Sequence, residues 1–366
     1  MTPSLCRALI PSSPLNIAWA THVPGFTATA MKFSQLLSTT CSLLALALVA
    51  CSGGGGSSSS GTTGGDPSGG TAGSESNGVV AISVLTTENP YFNVIIDSLT
   101  AEAEKHGYEV LATSGDQDVA KQQNQVKDFI VKQVSAIVLC PCESKSIGPA
   151  IEEANAAGIP VFTADIACLA PNAKVVSHIA TDNLGGGREA GTAMIEALGE
   201  SGGKVVILDY KSAESCLLRV QGFKEVLDAH NQANPDSKID IVMELPGEGN
   251  KERGYKAAQD AVQAHPDLAG IFAINDPSAL GARAALEKAG KEDQIKIVGF
   301  DGQPEGKQAI KEGKIYADPI QFPDEIGRKT MQTILAYLRG DEIEPEILIP
   351  TKLYRQSDGL ADPDLK

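Results

Sequence analysis

The chain has 366 residues, a length that a prior of roughly 150 residues per domain divides into two domains. With 42% hydrophobic and 21% charged residues, its composition is that of a globular protein and excludes a wholly disordered chain or a collagen-like fibre. The 30 Lys and Arg residues against 46 Asp and Glu give a formal net charge of -16, which repels a phosphate backbone and argues against nucleic acid as a partner.

The first 50 residues are predicted to be a signal region. Met31 and Lys32 begin a short basic segment, and an apolar run over 36–50 ends in L-V-A-C at Cys51. The run is too short for a transmembrane helix and is typical of a secretory signal. Its last four residues resemble a bacterial lipobox, which predicts that Cys51 is the lipid-carrying N-terminus of the mature chain. A non-lipidated signal cleaved near Cys51 is the alternative, and residues 1–30 would be a start-site artefact if the signal (31–50) begins the chain.

Residues 51–78 are dominated by glycine and serine and cannot bury apolar area. They predict a flexible tether with an r.m.s. reach on the order of 30 Å. A lipid-anchored globule on such a tether works just outside a bacterial membrane, in the periplasm or at the cell surface.

From Val79 onward, short Val- and Ile-rich runs alternate with longer stretches of helical period. The first set has apolar strand-like segments over 79–85, 109–113, 136–140, 160–164 and 175–180, with helices over 90–106, 118–132 and 146–157. The second set has helices over 183–198, 213–229, 251–264, 277–289, 304–311 and 323–338, with strands over 204–208, 239–245, 270–274, 295–300 and 315–320. This βαβ rhythm has too many strands for one ordinary sheet, so the sequence predicts an α/β fold with two doubly wound lobes.

Polar side chains follow many of these strands, where the functional crevice of an open α/β sheet lies. The set is Asn89, Asp165, Asp182, Asn275, Asp276, Asp301 and Gln321. Each also has a purely structural explanation, since such residues cap helices and hold turns.

Several motifs, taken in order, resemble the ribose-binding-protein branch of the periplasmic sugar-binding proteins. They are E-N-P-Y-F (88–92), V-V-S-H-I-A-T-D-N (175–183), H-P-D (265–267), I-F-A-I-N-D (271–276), A-L-G-A (279–282), I-V-G-F-D-G (297–302) and Q-F-P-D-E-I-G (321–327). The resemblance implies two Rossmann-like lobes joined by a three-stranded hinge. It places the first lobe at 79–181 plus 322–350 and the second at 182–321 plus 351–366.

The same resemblance implies a monomeric binding protein that closes by hinge motion on a monosaccharide or related polyol. It would deliver this ligand to an ABC-type permease in the inner membrane, with no enzymatic activity, cofactor or metal. By position in the matched motifs, the implied ligand contacts are Asn89, Tyr91, Phe92, Asp165, Thr181, Arg219, Asn275, Phe300, Asp301 and Gln321.

Four positions depart from the ribose-specific pattern. Ile166 follows Asp165 where that pattern has Arg, Cys140 replaces Asn, Gly249 stands where an aromatic is expected, and Leu85 replaces Ser. A missing Arg removes charge-assisted hydrogen bonds of about 1.5 to 3 kcal/mol. We therefore expect a roomier, less polar site that binds ribose weakly or not at all.

Three other functions are alternatives to sugar transport. A glycosidase would use Asp165 and Asp301 as its carboxylate pair, but the family implies no such chemistry. A sugar-responsive repressor would need a helix-turn-helix before the first strand, where this sequence has a signal and a tether. A ligand sensor for a chemoreceptor or sensor kinase, or a site for a non-sugar furanose-like signalling molecule, stays open.

The cysteines of the predicted globule are Cys140, Cys142, Cys168 and Cys216, an even number in an oxidising compartment. Because strands 136–140 and 160–164 should be neighbours, the loops after them predict a disulfide between Cys142 and Cys168. Cys140 should then point into the pocket and Cys216 should pack as a small apolar residue; four free thiols are the alternative. The C-P-C spacing and dispersed histidines do not form a zinc pattern.

Overall fold

The computed structural model describes residues 76–365. The predicted signal region, the lipidation site Cys51 and nearly all of the tether lie outside these residues.

The described chain alternates strands and helices almost throughout. Its first part contains β1 (Gly78–Val84), α1 (Pro90–Lys105), β2 (Tyr108–Ser114), α2 (Val119–Val131), β3 (Ala136–Leu139), α3 (Gly148–Ala156), β4 (Val161–Ala164) and β5 (His178–Thr181). Its second part contains α4 (Asn183–Leu198), a short 3-10 turn (Gly199–Ser201), β6 (Gly203–Asp209), α5 (Glu214–Ala233), β7 (Ile239–Pro246), α6 (Lys251–Ala264), β8 (Leu268–Ala273), α7 (Asp276–Ala289), β9 (Lys296–Val298), α8 (Pro304–Lys311) and β10 (Ala317–Ile320). The last part contains α9 (Pro323–Arg339), β11 (Glu346–Ile349), β12 (Lys352–Arg355) and α10 (Gln356–Ala361).

The strands form two six-stranded sheets, each the centre of one lobe. The first-lobe sheet has the order β11-β5-β4-β3-β1-β2 and is parallel throughout. The second-lobe sheet has the order β12-β10-β9-β8-β6-β7, in which only β12 runs antiparallel to its neighbour. Apart from the added edge strands, both follow the doubly wound order 2-1-3-4-5. The predicted α/β fold with two doubly wound lobes is confirmed.

The chain passes between the sheets three times. It leaves the first sheet after β5, returns after β10, and crosses again between β11 and β12. The crossings lie side by side, because Ile349 of β11 is paired with Thr181 and Lys352 of β12 is paired with Ile320. The linker is therefore three-stranded, as the family resemblance implies.

Both faces of each sheet are covered, which explains the nearly continuous apolar strands. In β1, Val80, Ile82 and Val84 belong to one buried cluster, whereas Ala81 belongs to the cluster beneath α2 and α3. Alternate residues of a strand point to opposite faces, so a strand that is buried on both faces has no polar side.

A close approach of α4 and α5 brings Arg219 into the space between the lobes. A Cβ atom at Gly187 would lie 2.2 Å from the Arg219 carbonyl oxygen, and one at Gly222 would lie 2.2 Å from the Leu184 carbonyl oxygen. Glycine is thus required on both helices at their crossing.

Two helices begin where the sequence signals predict. Asn89 caps α1 with Pro90 at its first position, and Asn275 caps α7. No helix within residues 76–365 is long and apolar enough to cross a membrane. The sequence did not predict β11, β12 or α10, whose four- to six-residue lengths give little periodicity to detect.

Candidate functional site

A cavity lies between the lobes, where the carboxyl ends of the strands from both sheets face each other. Its empty space is about 490 Å³, part of it open to solvent. Eight of the ten residues predicted to contact a ligand line it: Asn89, Tyr91, Phe92, Asp165, Arg219, Asn275, Asp301 and Gln321.

Two strand ends aim the carboxylates into this cavity. Asp165 directly follows β4 with φ 64°, and Asp301 follows β9 with φ 104°. Non-glycine residues rarely adopt such positive φ values, and backbone strain of this kind clusters at functional sites. Each side chain is only 4% exposed, so each carboxylate needs hydrogen-bond donors.

A chain of hydrogen bonds links the two carboxylates across the lobes. The Tyr91 hydroxyl donates to Asp165 Oδ1 at 2.8 Å and lies 3.0 Å from Gln321 Oε1. Gln321, at the second crossing, donates from Nε2 to Asp301 Oδ1 at 2.6 Å. Groups from the first lobe, the crossing and the second lobe therefore hold one another in place.

Arg219 provides the positive charge of the site. Its Nη1 donates to Asp301 Oδ1 at 3.1 Å and to the Ile274 carbonyl oxygen at 2.7 Å, and its Nε donates to Asn183 Oδ1 at 2.7 Å. The guanidinium carbon lies 4.0 Å from the centroid of the Phe300 ring. These bonds use Nε and Nη1, which leaves Nη2 to donate to a ligand.

Burial raises the pKa of both acids. It raises the pKa of Asp165 to about 6, against the opposing effects of the Arg219 charge and the Tyr91 hydrogen bond, while the negative charge of Asp301 raises it further. Burial likewise raises the pKa of Asp301, whereas Arg219, Gln303 and Gln321 act to lower it. At neutral pH the ionised Asp165 accepts hydrogen bonds, and a sugar hydroxyl is a suitable donor.

The rest of the wall combines apolar residues with Thr86, Gln117, Ser215 and Glu248. Leu85, Ile166, Ala213 and Ile274 line it, and Gly249 adds no side chain. Three of the four sequence departures therefore border the cavity.

Tyr210 is a lining residue that the sequence analysis missed. It directly follows β6, so the rule that selected the other residues after strand ends could have found it. Its ring lies 3.9 Å from the position of a Cβ atom at Gly249, and its hydroxyl donates to the Cys142 carbonyl oxygen of the first lobe at 3.3 Å. The aromatic ring on this side of the cavity comes from β6 instead of from the loop at Gly249.

The structure does not bring Thr181 and Phe300 to the cavity wall. Thr181 ends β5 and is 2% exposed, and its Oγ1 has no hydrogen-bond partner among the described residues. The Phe300 ring lies beneath the guanidinium of Arg219 and therefore supports a lining residue.

The predicted Cys142–Cys168 disulfide and the placement of Cys140 in the pocket were wrong, whereas Cys216 is buried in the apolar core as predicted. Cys142 and Cys168 are free thiols. Cys142 Sγ lies 3.7 Å from the Leu85 carbonyl oxygen and belongs to one core cluster, whereas Cys168 packs against the separate cluster beneath α2 and α3. Cys216, and not Cys140, lines the cavity.

A second set of contacts joins the lobes beside the cavity. Ala213, at the N-cap position of α5, cannot cap it, and the Glu214 N–H instead donates to Ser144 Oγ of the first lobe at 3.0 Å. The Ser144 N–H donates to the Ser212 carbonyl oxygen at 3.0 Å. We call this pair of bonds the cross-lobe cap.

Within residues 76–365 no group of three or more His, Cys, Asp or Glu side chains could hold a metal ion. The site instead has carboxylates, an Arg, amides and aromatic rings around a buried space. These groups can bind a neutral, hydroxyl-rich molecule with apolar C–H faces.

Residues 80–342 match the family described as periplasmic binding protein domain. The ribose import binding protein of Escherichia coli (strain K12) is 35% identical over 284 residues, which cover 77% of this chain and 92% of that protein. The D-apiose import binding protein of Actinobacillus succinogenes is 32% identical over 246 residues, which cover 67% of this chain and 77% of that protein.

A solved structure is also similar to this chain over most of its length. An ABC transporter solute-binding protein from Mycobacterium smegmatis, solved with bound glycerol, superposes with a TM-score of 0.71 at 31% identity. The match covers 77% of this chain and 96% of that one.

Proposed function

The chain belongs to the periplasmic binding protein domain family, and from that premise we propose that it binds a monosaccharide or related polyol for an ABC-type importer. The observation that carries the proposal is the hydrogen-bonded chain from Asp165 through Tyr91 and Gln321 to Asp301 and Arg219. It surrounds a cavity with acceptors and donors that suit hydroxyl groups. The import of ribose and of D-apiose by relatives supports the same class of ligand.

The mechanism we propose is closure of the two lobes, 79–181 plus 322–350 and 182–321 plus 351–366, about the three crossings. A ligand that bonds to Asp165 and to Asp301 contacts both lobes at once, so it stabilises the closed arrangement over an open one. The permease would recognise that closed shape. A sensor for a chemoreceptor or kinase would use the same closure, and the genes next to this one would distinguish the two roles: a permease and an ATPase for transport, a kinase for sensing.

The ligand we propose is less hydroxylated on one side than ribose. Leu85 and Ile166 place apolar side chains against the cavity, where the family pattern has groups that bond to ribose. Deoxysugars, which replace a hydroxyl by hydrogen, suit such a wall. Acidic sugars do not, because Glu248 also lines the cavity and the two aspartates outnumber Arg219.

Calorimetric titration tests this function. The protein is titrated with pentoses, hexoses, deoxysugars, cyclitols and a uronic acid under one buffer condition. We expect at least one neutral ligand to bind, with ribose weak or absent. Micromolar or tighter ribose binding would refute the proposed specificity, and no binding across the panel would refute the sugar-binding function.

We also propose that Cys51 carries the lipid that holds the protein beside the membrane. The apolar run stops at L-V-A-C, and the glycine- and serine-rich segment that follows would let the globule reach a permease. Metabolic labelling with a fatty-acid analogue tests it, with Cys41→Ala as the control. Equal labelling of Cys51→Ala and the unaltered protein would contradict the assignment.

A further inference from the structure

Two buried carboxyl groups lie beneath the second-lobe half of the site and are not part of its wall network. Asp276 is the first residue of α7 and is 1% exposed, and Asp318 is in β10 and is 0% exposed. The two carboxyl groups are close enough for the charge of Asp318 to raise the pKa of Asp276.

Most of their oxygens have no donor. Asp276 Oδ2 accepts the Gln303 N–H at 2.6 Å, but Asp276 Oδ1 and both oxygens of Asp318 have no hydrogen-bond partner among the described residues. The nearby N–H of Gly299 is used by the Ala317 carbonyl oxygen at 3.1 Å. Ionised carboxylates only accept hydrogen bonds, and two in contact repel each other, so this arrangement needs a donor that the two ionised groups cannot supply.

Among the described residues, no Lys, Arg or His forms an ion pair with Asp276 or Asp318. Asp301, in the loop after β9, is another acid, and its negative charge raises the pKa of both carboxyl groups. Glu305, at the start of α8, is another acid and pairs with Lys251 at 3.7 Å, where both side chains are more than half exposed. Backbone packs against the pair, since a Cβ atom at Gly306 would lie 2.0 Å from Asp276 Oδ1.

We propose that Asp276 and Asp318 hold one proton between them, and that this acid–carboxylate pair positions the second-lobe groups of the ligand site. The protonated acid donates to the carboxylate, which satisfies both side chains without a counter-ion. This is the arrangement expected when two carboxyl groups share a buried site.

The pair adjoins the segments that carry Asn275, Asp301 and Gln321, whereas Arg219 lies apart from it on α5. Asp276 directly follows Asn275, whose Nδ2 donates to the Gly249 carbonyl oxygen at 2.9 Å. Gln303, which donates its N–H to Asp276, also donates from Nε2 to Asp301 Oδ2 at 3.1 Å. Asp318 lies in β10, the strand that leads to Gln321. Without the proton, the two carboxylates would repel each other and move these segments apart. The expected effect on ligand affinity rests on the proposed function.

The directions of the pKa shifts agree with this geometry. Burial, and then the charge of Asp318, raise the pKa of Asp276 well above its ordinary value. Burial raises the pKa of Asp318 to about 6. Because both values are higher than in an unfolded chain, the folded state binds more protons, and stability falls as pH rises from about 4 through these values.

Infrared spectroscopy at neutral pH detects the proton directly. We expect a protonated carboxyl band in the unaltered protein that is lost in Asp318→Asn, because the new amide donates to Asp276 and lets it ionise. Asp165→Asn, which alters the other lobe, should keep the band. A spectrum without the band, or a band that persists in Asp318→Asn, would overturn the proposal. If Asp318→Asn does not fold, Asp276→Asn takes its place.

The pH profile of binding tests the positioning role. With the tightest-binding sugar of the panel, we expect affinity to fall about threefold or more between about pH 6 and about pH 9, and to change less in Asp318→Asn. Equal profiles would refute that role. If no sugar binds, the proposed function fails, but the infrared band and the pH dependence of the melting temperature still decide whether the proton is shared.

Discussion

The cross-lobe cap makes affinity depend on a residue outside the cavity wall. Ser144 is 2% exposed, and its hydroxyl accepts the N–H of Glu214 at the start of α5. In an open arrangement that N–H would be hydrated, so the bond contributes only to the closed form. The change Ser144→Ala should therefore weaken closure and leave the fold of each lobe intact.

The size of the effect follows from the bond that is lost. Replacing a capping Ser by Ala costs about 1 kcal/mol, and α5 has no capping side chain of its own. If the ligand-free protein is mostly open, this whole cost appears in the binding free energy, and Kd rises about fivefold. The backbone bond from the Ser144 N–H to Ser212 remains, which keeps the effect at this size.

Calorimetric titration of Ser144→Ala with the tightest-binding sugar of the panel measures this rise. Ser146→Ala is the matched control, because Ser146 is exposed and bonds with Glu143 and Gln123, which belong to its own lobe. The melting temperature without ligand should change little in either variant. Unchanged affinity in Ser144→Ala, or an equal loss in Ser146→Ala, would refute the reasoning.

Four further outcomes follow from the contacts described. Asp165→Ala and Asp301→Ala should each weaken binding by about 1 to 3 kcal/mol in titrations while circular dichroism stays unchanged, since a ligand hydroxyl loses its acceptor. Arg219→Ala should bind more weakly still, because it also leaves Asp301 buried without its 3.1 Å partner; normal binding would exclude it from the site. Sugar affinity should fall as pH drops below about 6, where Asp165 becomes protonated, and Asp165→Asn should remove this dependence; an equal pH profile in both would assign the titration to another group. Gly222→Ala should destabilise the second lobe by about 1 to 3 kcal/mol in urea unfolding, because the added methyl meets a backbone oxygen of α4; an unchanged midpoint would contradict that close packing.

The sequence alone determined the fold class and most of the cavity wall. Apolar runs that are buried on both faces specify parallel strands, and the Asn89-Pro90 pair marks where α1 begins. Because the carboxyl ends of such strands meet at one edge of a sheet, Asp165 and Asp301 could be placed in the crevice from their positions alone. The family resemblance then added Tyr91 and Arg219.

Only the tertiary structure shows which strands pair and which side chains are in contact. β11 and β12 form because β5 and β10 offer unpaired edges, so their own four residues carry little signal. Cys142 and Cys168 were expected to meet from the loops after adjacent strands, yet their thiols are free and pack in different apolar clusters, which strand order does not fix. The contact of Asp276 with Asp318 and the capping of α5 by Ser144 join residues far apart in sequence. Such pairs depend on how helices and strands pack, a three-dimensional arrangement that no local pattern of residues encodes.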